Sequence, residues 1–280
     1  MFGRLSAEQA ALVYYLCPRT DYSKHSCRRA VRPAGAIPLD TMIRDALNYL
    51  RTDDNWRRTV LIGGILSLLG VLVVPTVLVL GYLVRVLRET MHGGDRTPVF
   101  DEWSDLFVDG VKAFAITLAY GVVPAAVGTA VVAGGILSFA VVAVGGNGTA
   151  AGGLGVVVVI VGGLLALVLG LLAAYVVPAA TAAFAETGRL GAAFSVDDLR
   201  PVLASGRYAT AWLSAFAVVV GGGLLGAALN AIPILGFVVA GFVTFYAGVT
   251  AYYIIGHAWG DHRSLDRRGA ETSPDEKPAV

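Results

Sequence analysis

The sequence predicts an all-α protein, a polytopic transmembrane bundle with six hydrophobic segments. Only 15% of its 280 residues are charged and 56% are hydrophobic, whereas a soluble domain carries about 25% charged residues. The mean hydropathy of +0.70 also excludes a disordered chain. Three stretches lack Asp, Glu, Lys and Arg, and together they make up more than half of the chain: residues 59–84, 113–185 and 208–260. These observations predict a multi-pass membrane protein.

Residues 1–41 differ from the rest of the chain. They are basic, contain both cysteines, and lack the long apolar run and cleavage site of a signal peptide. Cys17 and Cys27 have no set of His or Asp partners nearby, so we interpret them as incidental thiols rather than metal ligands. We expect residues 1–41 to be an unstructured extension, or a spurious one with Met42 as the true start.

The first charge-free stretch, residues 59–84, allows two interpretations. A single helix of this length would reach about 39 Å at 1.5 Å per residue, which is enough for one tilted span. Pro75, near the middle, would instead divide the stretch into two short helices. The hairpin would keep every basic residue of the chain on the cytoplasmic side. We therefore favour six segments, the first two short, with five spans as the alternative.

The second and third stretches each predict two spans, because a helix needs about 20 apolar residues to cross a bilayer. A glycine-rich turn at residues 145–153 separates helices expected near residues 113–137 and 154–177. Asn230 and Pro233 separate helices expected near residues 208–229 and 234–255.

Basic residues are concentrated in three connections. Residues 85–112 hold four Lys or Arg, residues 186–207 hold three and the tail after Gly260 holds four, whereas the turns of the second and third stretches hold none. The positive-inside rule places these connections and the C-terminus in the cytoplasm of a cell-membrane protein. We expect a membrane domain over residues 42–262 and a disordered cytoplasmic tail over residues 263–280.

Two amphipathic helices are expected on the cytoplasmic side. The first has its apolar face at Ile43, Ala46, Leu47 and Leu50. The second covers residues 99–111, where one face holds Val99, Phe100, Trp103, Leu106, Phe107 and Val111 and the other holds Asp101, Glu102, Asp105 and Asp109. We expect the second helix to lie in the membrane interface or against the cytoplasmic surface of the protein.

Several motifs occur in an order that resembles a known family. Gly63-Gly64 is followed by GYL-x-R-x-x-R at residues 81–88, FDEW at 100–103 and DLFVDG at 105–110. This combination resembles the prokaryotic membrane family known as domain of unknown function family 4013, whose members are well represented in salt-loving archaea. The resemblance is strongest over residues 45–124. It implies a multi-pass protein of the cell membrane, but it implies no established activity and no catalytic residues.

The charge-free stretches disfavour several membrane functions. Proton relays, ion pumps and intramembrane proteases use ionisable groups within the membrane, and His257 is the single histidine in the three stretches. His257, Asp261 and His262 do not share one helix face, so we interpret them as an interfacial polar cap rather than a metal site. Asp197 and Asp198, which follow Ser195, predict a helix N-terminus.

Other features are less specific. Asn147-Gly148-Thr149 is a glycosylation sequon on a turn expected outside. Small residues at fourfold spacing form two stripes that permit close helix packing, within the chain first and between copies second. The stripes are Thr117, Gly121, Ala125, Thr129 and Ala133, and Gly236, Ala240, Thr244 and Gly248.

The sequence thus predicts a membrane protein that is not an enzyme. We identify no catalytic, cofactor-binding or metal-binding residue, and no feature of a nucleic-acid-binding protein. The expected partners are the lipid bilayer and, through the small-residue faces, a second copy of the chain. The favoured role is structural or interactive, and the alternative is a small-molecule permease with an uncharged cavity near Pro75, Asn230 and Pro233.

Overall fold

The computed structural model describes residues 39–50, 56–94, 96–145, 149–232 and 235–272. These residues form α1 (Leu39–Tyr49), α2 (Trp56–Leu68), α3 (Val73–Met91), α4 (Trp103–Gly145), α5 (Thr149–Thr187), a 3₁₀ helix (Leu190–Phe194), α6 (Val196–Leu203), α7 (Gly206–Leu229) and α8 (Leu235–Thr272). The predicted all-α class is confirmed.

The chain divides into two compact units between Met42 and Ile43. Residues 1–38, with Cys17 and Cys27, lie outside the described part, so the extension over residues 1–41 stays a prediction. At the other end α8 continues to Thr272, so residues 263–272 of the expected tail are helical. Residues 273–280 lie outside the described part.

The first charge-free stretch folds as two helices, α2 and α3, joined by a turn at residues 69–72. The expected break at Pro75 is therefore misplaced. Pro75 lies in the first turn of α3, where backbone N–H groups have no partner within the helix, so proline is accommodated there. The turn itself is closed by Thr76, whose Oγ1 donates to the carbonyl oxygens of Gly70 (2.8 Å) and Leu72 (3.0 Å).

Helices α2, α3 and α7 all pack on α8. α7 runs antiparallel to α8, and a methyl group on Gly226 would lie 3.5 Å from Cβ of Ala240. Asn230 caps the C-terminus of α7, as the sequence predicts. In α2, the rings of Phe245 and Phe242 from α8 lie against the Gly63-Gly64 pair, because only glycine leaves room for an aromatic ring so close to a helix backbone.

Helices α4 and α5 form a long antiparallel pair, called here the α4–α5 arm. A methyl group on Gly135 would lie 3.0 Å from Cγ2 of Val159, and one on Gly134 would lie 3.6 Å from Cγ1 of Val158. At 43 and 39 residues, both helices extend well beyond the expected bounds of 113–137 and 154–177. Their sequences contain no polar turn that would end them earlier, and each accommodates an internal proline, as helices in membranes can.

Within the described residues 96–145, the amphipathic helix expected over residues 99–111 is not a separate helix. Its second half forms the first turns of α4, which continues directly into the charge-free stretch. Glu102, just before the helix, has a positive φ of 47°. Ala46 in α1 and Leu50, just after its end, are buried as expected, but Leu47 is 39% exposed.

Four helices are long and apolar enough to cross a membrane: Trp103–Val141, Gly155–Thr187, Gly206–Leu229 and Leu235–Ser264. They match the four spans predicted from the second and third stretches. Length and composition of this kind are those of a membrane-embedded protein. α2 and α3, with 13 and 19 residues, are not among the four.

Candidate functional site: ion pairs at one end of the bundle

The two arginines of the GYL-x-R-x-x-R motif lie one turn apart near the end of α3. Arg85 binds the loop before α4, because its Nη1 donates to Oδ1 of Asp101 at 2.6 Å. Its Nη2 donates to the carbonyl oxygen of Glu102 at 3.3 Å. Asp101 and Glu102 are 63% and 72% exposed, whereas the Arg85 side chain is only 15% exposed, so a largely covered guanidinium meets carboxylates that face solvent.

Arg88 makes the more protected contact. Both of its terminal nitrogens donate to the carboxylate of Asp109 on α4, with Nη2 to Oδ1 at 3.1 Å. Its Nε donates to the carbonyl oxygen of Ala185 on α5 at 3.1 Å. The side chain of Asp109 is only 13% exposed. Arg88 therefore joins three helices through a two-pronged, charge-assisted contact.

A third ion pair joins α5 to α8. Glu186 is the first charged residue after the long charge-free stretch. Its Oε2 accepts hydrogen bonds from Nε1 of Trp259 at 2.9 Å and from Nε of Arg263 at 3.1 Å. The guanidinium of Arg263 also lies 5.5 Å from the centre of the Trp259 ring, a cation–π distance.

Aromatic rings of α3, the FDEW segment and α8 pack against one another. Tyr82 stacks on Phe100 of the FDEW motif with ring centroids 4.4 Å apart, and Phe245 lies 5.5 Å from Tyr82. The Tyr82 hydroxyl donates to the carbonyl oxygen of Pro98 at 3.1 Å. Phe100 is buried, which leaves Trp103, at 48% exposed, as the outward-facing aromatic residue of the motif.

Two motif glycines allow α3 and α4 to cross at backbone contact. A Cβ atom on Gly81 would collide with the carbonyl oxygen of Leu106, and one on Gly110 would collide with that of Val77. No side chain can move to relieve such a collision, because its partner is the backbone. The glycines of GYL and DLFVDG are therefore required by the crossing that positions Arg88 against Asp109.

An aromatic belt is formed by residues of α5 and α7. The Tyr175 hydroxyl donates to the carbonyl oxygen of Leu203 at 2.7 Å, Tyr208 donates to that of Tyr175 at 2.8 Å, and Nε1 of Trp212 donates to that of Ala174 at 2.8 Å. Tyrosine and tryptophan with hydrogen-bonded polar tips are typical of the boundary between hydrocarbon and water.

The residues considered for a metal site, His257, Asp261 and His262, all lie on α8. Nδ1 of His257 lies 3.1 Å from the carbonyl oxygen of Tyr253, whose ring centre is 4.3 Å from that of His257. Within the described ranges, no three His, Cys, Asp or Glu side chains are grouped so that they could hold a metal ion.

Two helix starts in the connection after α5 are capped by serine side chains. The prediction of a helix N-terminus at Ser195 is confirmed, since its hydroxyl accepts from the N–H of Asp198 at 3.4 Å. Ser205 caps α7 in the same way. The sequon at Asn147 lies outside the described residues.

The two stripes of small residues differ in whether they contact another helix of the same chain. A Cβ atom on Gly236 would collide with the carbonyl oxygen of Leu229, and Ala240 faces Gly226, so the first half of the stripe on α8 packs within the chain. Thr244, further along the same stripe, is exposed. The stripe on α4 does not pack within the chain, because Gly121 has nothing within 4 Å and Thr129 is exposed. Intrachain packing was the wrong expectation for that stripe: α5 packs on the face with Gly134 and Gly135 instead.

The residues expected near a permeation cavity differ in exposure. Asn230 is exposed at the end of α7, Pro75 is buried at the start of α3, and Pro233 lies outside the described residues. A recess of about 370 Å³ lies elsewhere, lined by Arg44, Leu47, Asn48 and Tyr246.

Sequence reasoning missed the partners of the ion pairs. Glu186 and Arg263 are 77 residues apart, and Arg88 and Ala185 are 97 apart. One feature of the sequence did point to these partners. The charged residues lie close to the ends of charge-free stretches, so they must reach the same boundary of the membrane.

The family described as a protein of unknown function, DUF4013, matches residues 65–231, and the chain belongs to it. The match contains both arginines of the GYL motif, the FDEW segment and Glu186. No curated protein and no solved structure matches the chain significantly.

Proposed function

We propose that this DUF4013 protein has a structural or interaction role in the cell membrane and catalyses no reaction. The observation that carries the proposal is the pairing of the charged motif residues with one another. Arg85, Arg88 and Glu186 each bind a neighbouring element of the same chain. These contacts give the charged motif residues a structural use, because each one holds two or more elements of the chain together.

The proposed orientation places the ion-paired end in the cytoplasm. The connections that meet there contain the clustered Lys and Arg residues of the sequence, whereas Asn230 lies at a turn without them. The positive-inside rule then places the C-terminus after α8 in the cytoplasm as well. The hydrogen-bonded aromatic belt would mark the depth of the inner lipid headgroups.

An exposed stripe at the start of α4 supports contact with the membrane interface. Trp103, Phe107 and Val111 are 48%, 40% and 43% exposed and follow one another at intervals of four residues. Residues so spaced lie on one face of a helix. A tryptophan on an apolar stripe next to charged residues is the arrangement by which helices are held at headgroup depth.

The proposal is tested by complementation of a deletion strain with variants that spare the ion pairs. We expect Asn230→Ala, His257→Gln and Asp261→Asn to restore the strain's growth under membrane stress in proportion to the amount of folded protein in the membrane. A variant present at the wild-type level but unable to complement would contradict the proposal, because such a residue would have a catalytic or transport role.

A further inference from the structure

We infer that the α4–α5 arm is hinged to the rest of the bundle at Pro124 of α4 and Pro178 of α5. Trp212 of α7 fixes the angle of this hinge, because its indole N–H binds the backbone carbonyl that Pro178 leaves without a helical partner. Trp212 is therefore a positioning residue for the arm, which is more than a role in holding helices together. Hydrogen bonding, burial and the contacts of the connection after α5 each support the hinge.

The first support is the hydrogen bonding around Pro178. In an α-helix the N–H of each residue donates to the carbonyl oxygen four residues earlier, so the carbonyl of Ala174 would be bonded by an N–H at position 178. Proline has no N–H to donate. The carbonyl of Ala174 accepts instead from Nε1 of Trp212 at 2.8 Å. A neighbouring helix thus replaces the missing donor, which is one way in which proline is tolerated in membrane helices.

The next carbonyl of α5 is bound by α7 as well. The carbonyl oxygen of Tyr175 accepts from the Tyr208 hydroxyl at 2.8 Å, and the Tyr175 ring lies 5.2 Å from the rings of both Tyr208 and Trp212. A proline ring clashes with the carbonyl four residues earlier, so helices bend at this point. α7 therefore contacts α5 where its backbone is expected to bend.

The second support is a sharp change in burial close to the two prolines. Residues 179–185 of α5 are all buried, whereas none of residues 156–177 is buried. In α4, Ile116 is buried and none of residues 117–141 is. Both helices therefore pack into the bundle on one side of the hinge, and beyond it they pack mainly on each other.

The third support is that the connection between α5 and α7 contacts both helices near their prolines. The Tyr120 hydroxyl donates to the carbonyl oxygen of Ala193 at 2.8 Å, and the Tyr175 hydroxyl donates to that of Leu203 at 2.7 Å. Tyr120 is also the residue whose own carbonyl loses its helical donor to Pro124. α4 and α5 are thus bound to one connection, each in the turn that precedes its proline.

The test is a double-mutant cycle on the full chain in lipid nanodiscs. Trp212→Phe removes the indole donor, and Pro178→Ala restores an N–H for the carbonyl of Ala174. We expect Trp212→Phe to lower the thermal midpoint of unfolding by about 1–4 °C more in the chain with Pro178 than in the Pro178→Ala chain. An equal fall in both chains would overturn the inference, because Trp212 would then act through packing alone.

Phe216→Leu is the matched control for the loss of an aromatic ring. The ring of Phe216 stacks on that of Trp212 with centroids 4.9 Å apart, but phenylalanine has no side-chain hydrogen-bond donor. Its substitution should therefore lower the thermal midpoint equally with and without Pro178.

The angle of the arm is measured separately with nitroxide spin labels. A chain whose two cysteines are replaced by serine carries Val161→Cys on the arm and Leu224→Cys on α7, both at exposed positions. Double electron–electron resonance in nanodiscs should give one narrow distance distribution, which Trp212→Phe should broaden and Pro178→Ala should shift. Distances that neither substitution alters would show that no hinge exists at Pro178.

A further variant does not require Pro178→Ala to fold. Replacing Trp212 by its benzothiophene analogue keeps the two fused rings and exchanges the indole N–H for a sulfur atom. This replacement should broaden the distance distribution as Trp212→Phe does. A distribution as narrow as that of the wild type would rule out the indole hydrogen bond as the contact that fixes the arm.

Discussion

Arg88 and Arg85 belong to one motif but contribute differently to stability. Arg88→Met would leave the carboxylate of Asp109, 13% exposed, without its partner, and should cost about 1–3 kcal/mol. Arg85→Met should cost less than Arg88→Met, because the carboxylates that lose Arg85 are 63% and 72% exposed and can be solvated by water. The free energy of unfolding in detergent micelles measures the difference. Equal losses for both variants would contradict it, and Asp109→Asn should recover part of the loss in Arg88→Met.

Gly81 is a second residue whose role follows from one contact. Gly81→Ala places a methyl group against the backbone of α4, and overpacking of this kind costs about 1–3 kcal/mol. Gly121→Ala is the matched control, since it has nothing within 4 Å and alanine favours a helix by about 0.5–1 kcal/mol. Thermal unfolding midpoints should fall for the first variant and stay level or rise for the second. A fall of equal size in both would show that the α3–α4 crossing is not as close as described.

At the scale of elements, α7 depends on a serine cap at its N-terminus. Ser205 Oγ accepts from the N–H of Tyr208 at 3.2 Å, so Ser205→Ala should cost about 1 kcal/mol. Thr210→Ala, which removes a hydroxyl bonded within the same helix to Arg207, should be nearly neutral. Chemical denaturation in mixed micelles compares the two variants, and a larger effect at Thr210 would contradict the capping role.

The elements also show which parts of the fold are local enough to predict. The cap at Ser195 and the turn at Asn230 were predictable, since a few adjacent residues decide them. The position of the α2–α3 turn was not, because proline is tolerated in a first helical turn and the closing contact comes from Thr76. The start of α4 at Trp103 was missed, since the charged face of its first turns suggested a separate helix. The partners of Arg88 and Glu186 depend on the tertiary fold, and no spacing in the sequence reveals them.

At the scale of the whole molecule, the proposed orientation predicts the location of the termini of the membrane segments. A fluorescent protein fused after Val280 should fluoresce, and alkaline phosphatase at the same site should be inactive, because the first requires the cytoplasm and the second requires the outside. Insertion of the two reporters at Asn147 should give the reverse result. Phosphatase activity at the C-terminus would contradict the orientation.

The absence of charge from the three long stretches has a consequence for the response to voltage. A change of 100 mV across a membrane is worth about 2.3 kcal/mol for each elementary charge that moves through the field. Here the ion pairs of Arg88 and Glu186 stand at one end of the bundle, and residues 113–185 contribute no Asp, Glu, Lys or Arg to the space where the field falls. Helix movements within the bilayer would therefore transfer almost no gating charge, and the conformation of the bundle should be the same in an energised cell and in a depolarised one.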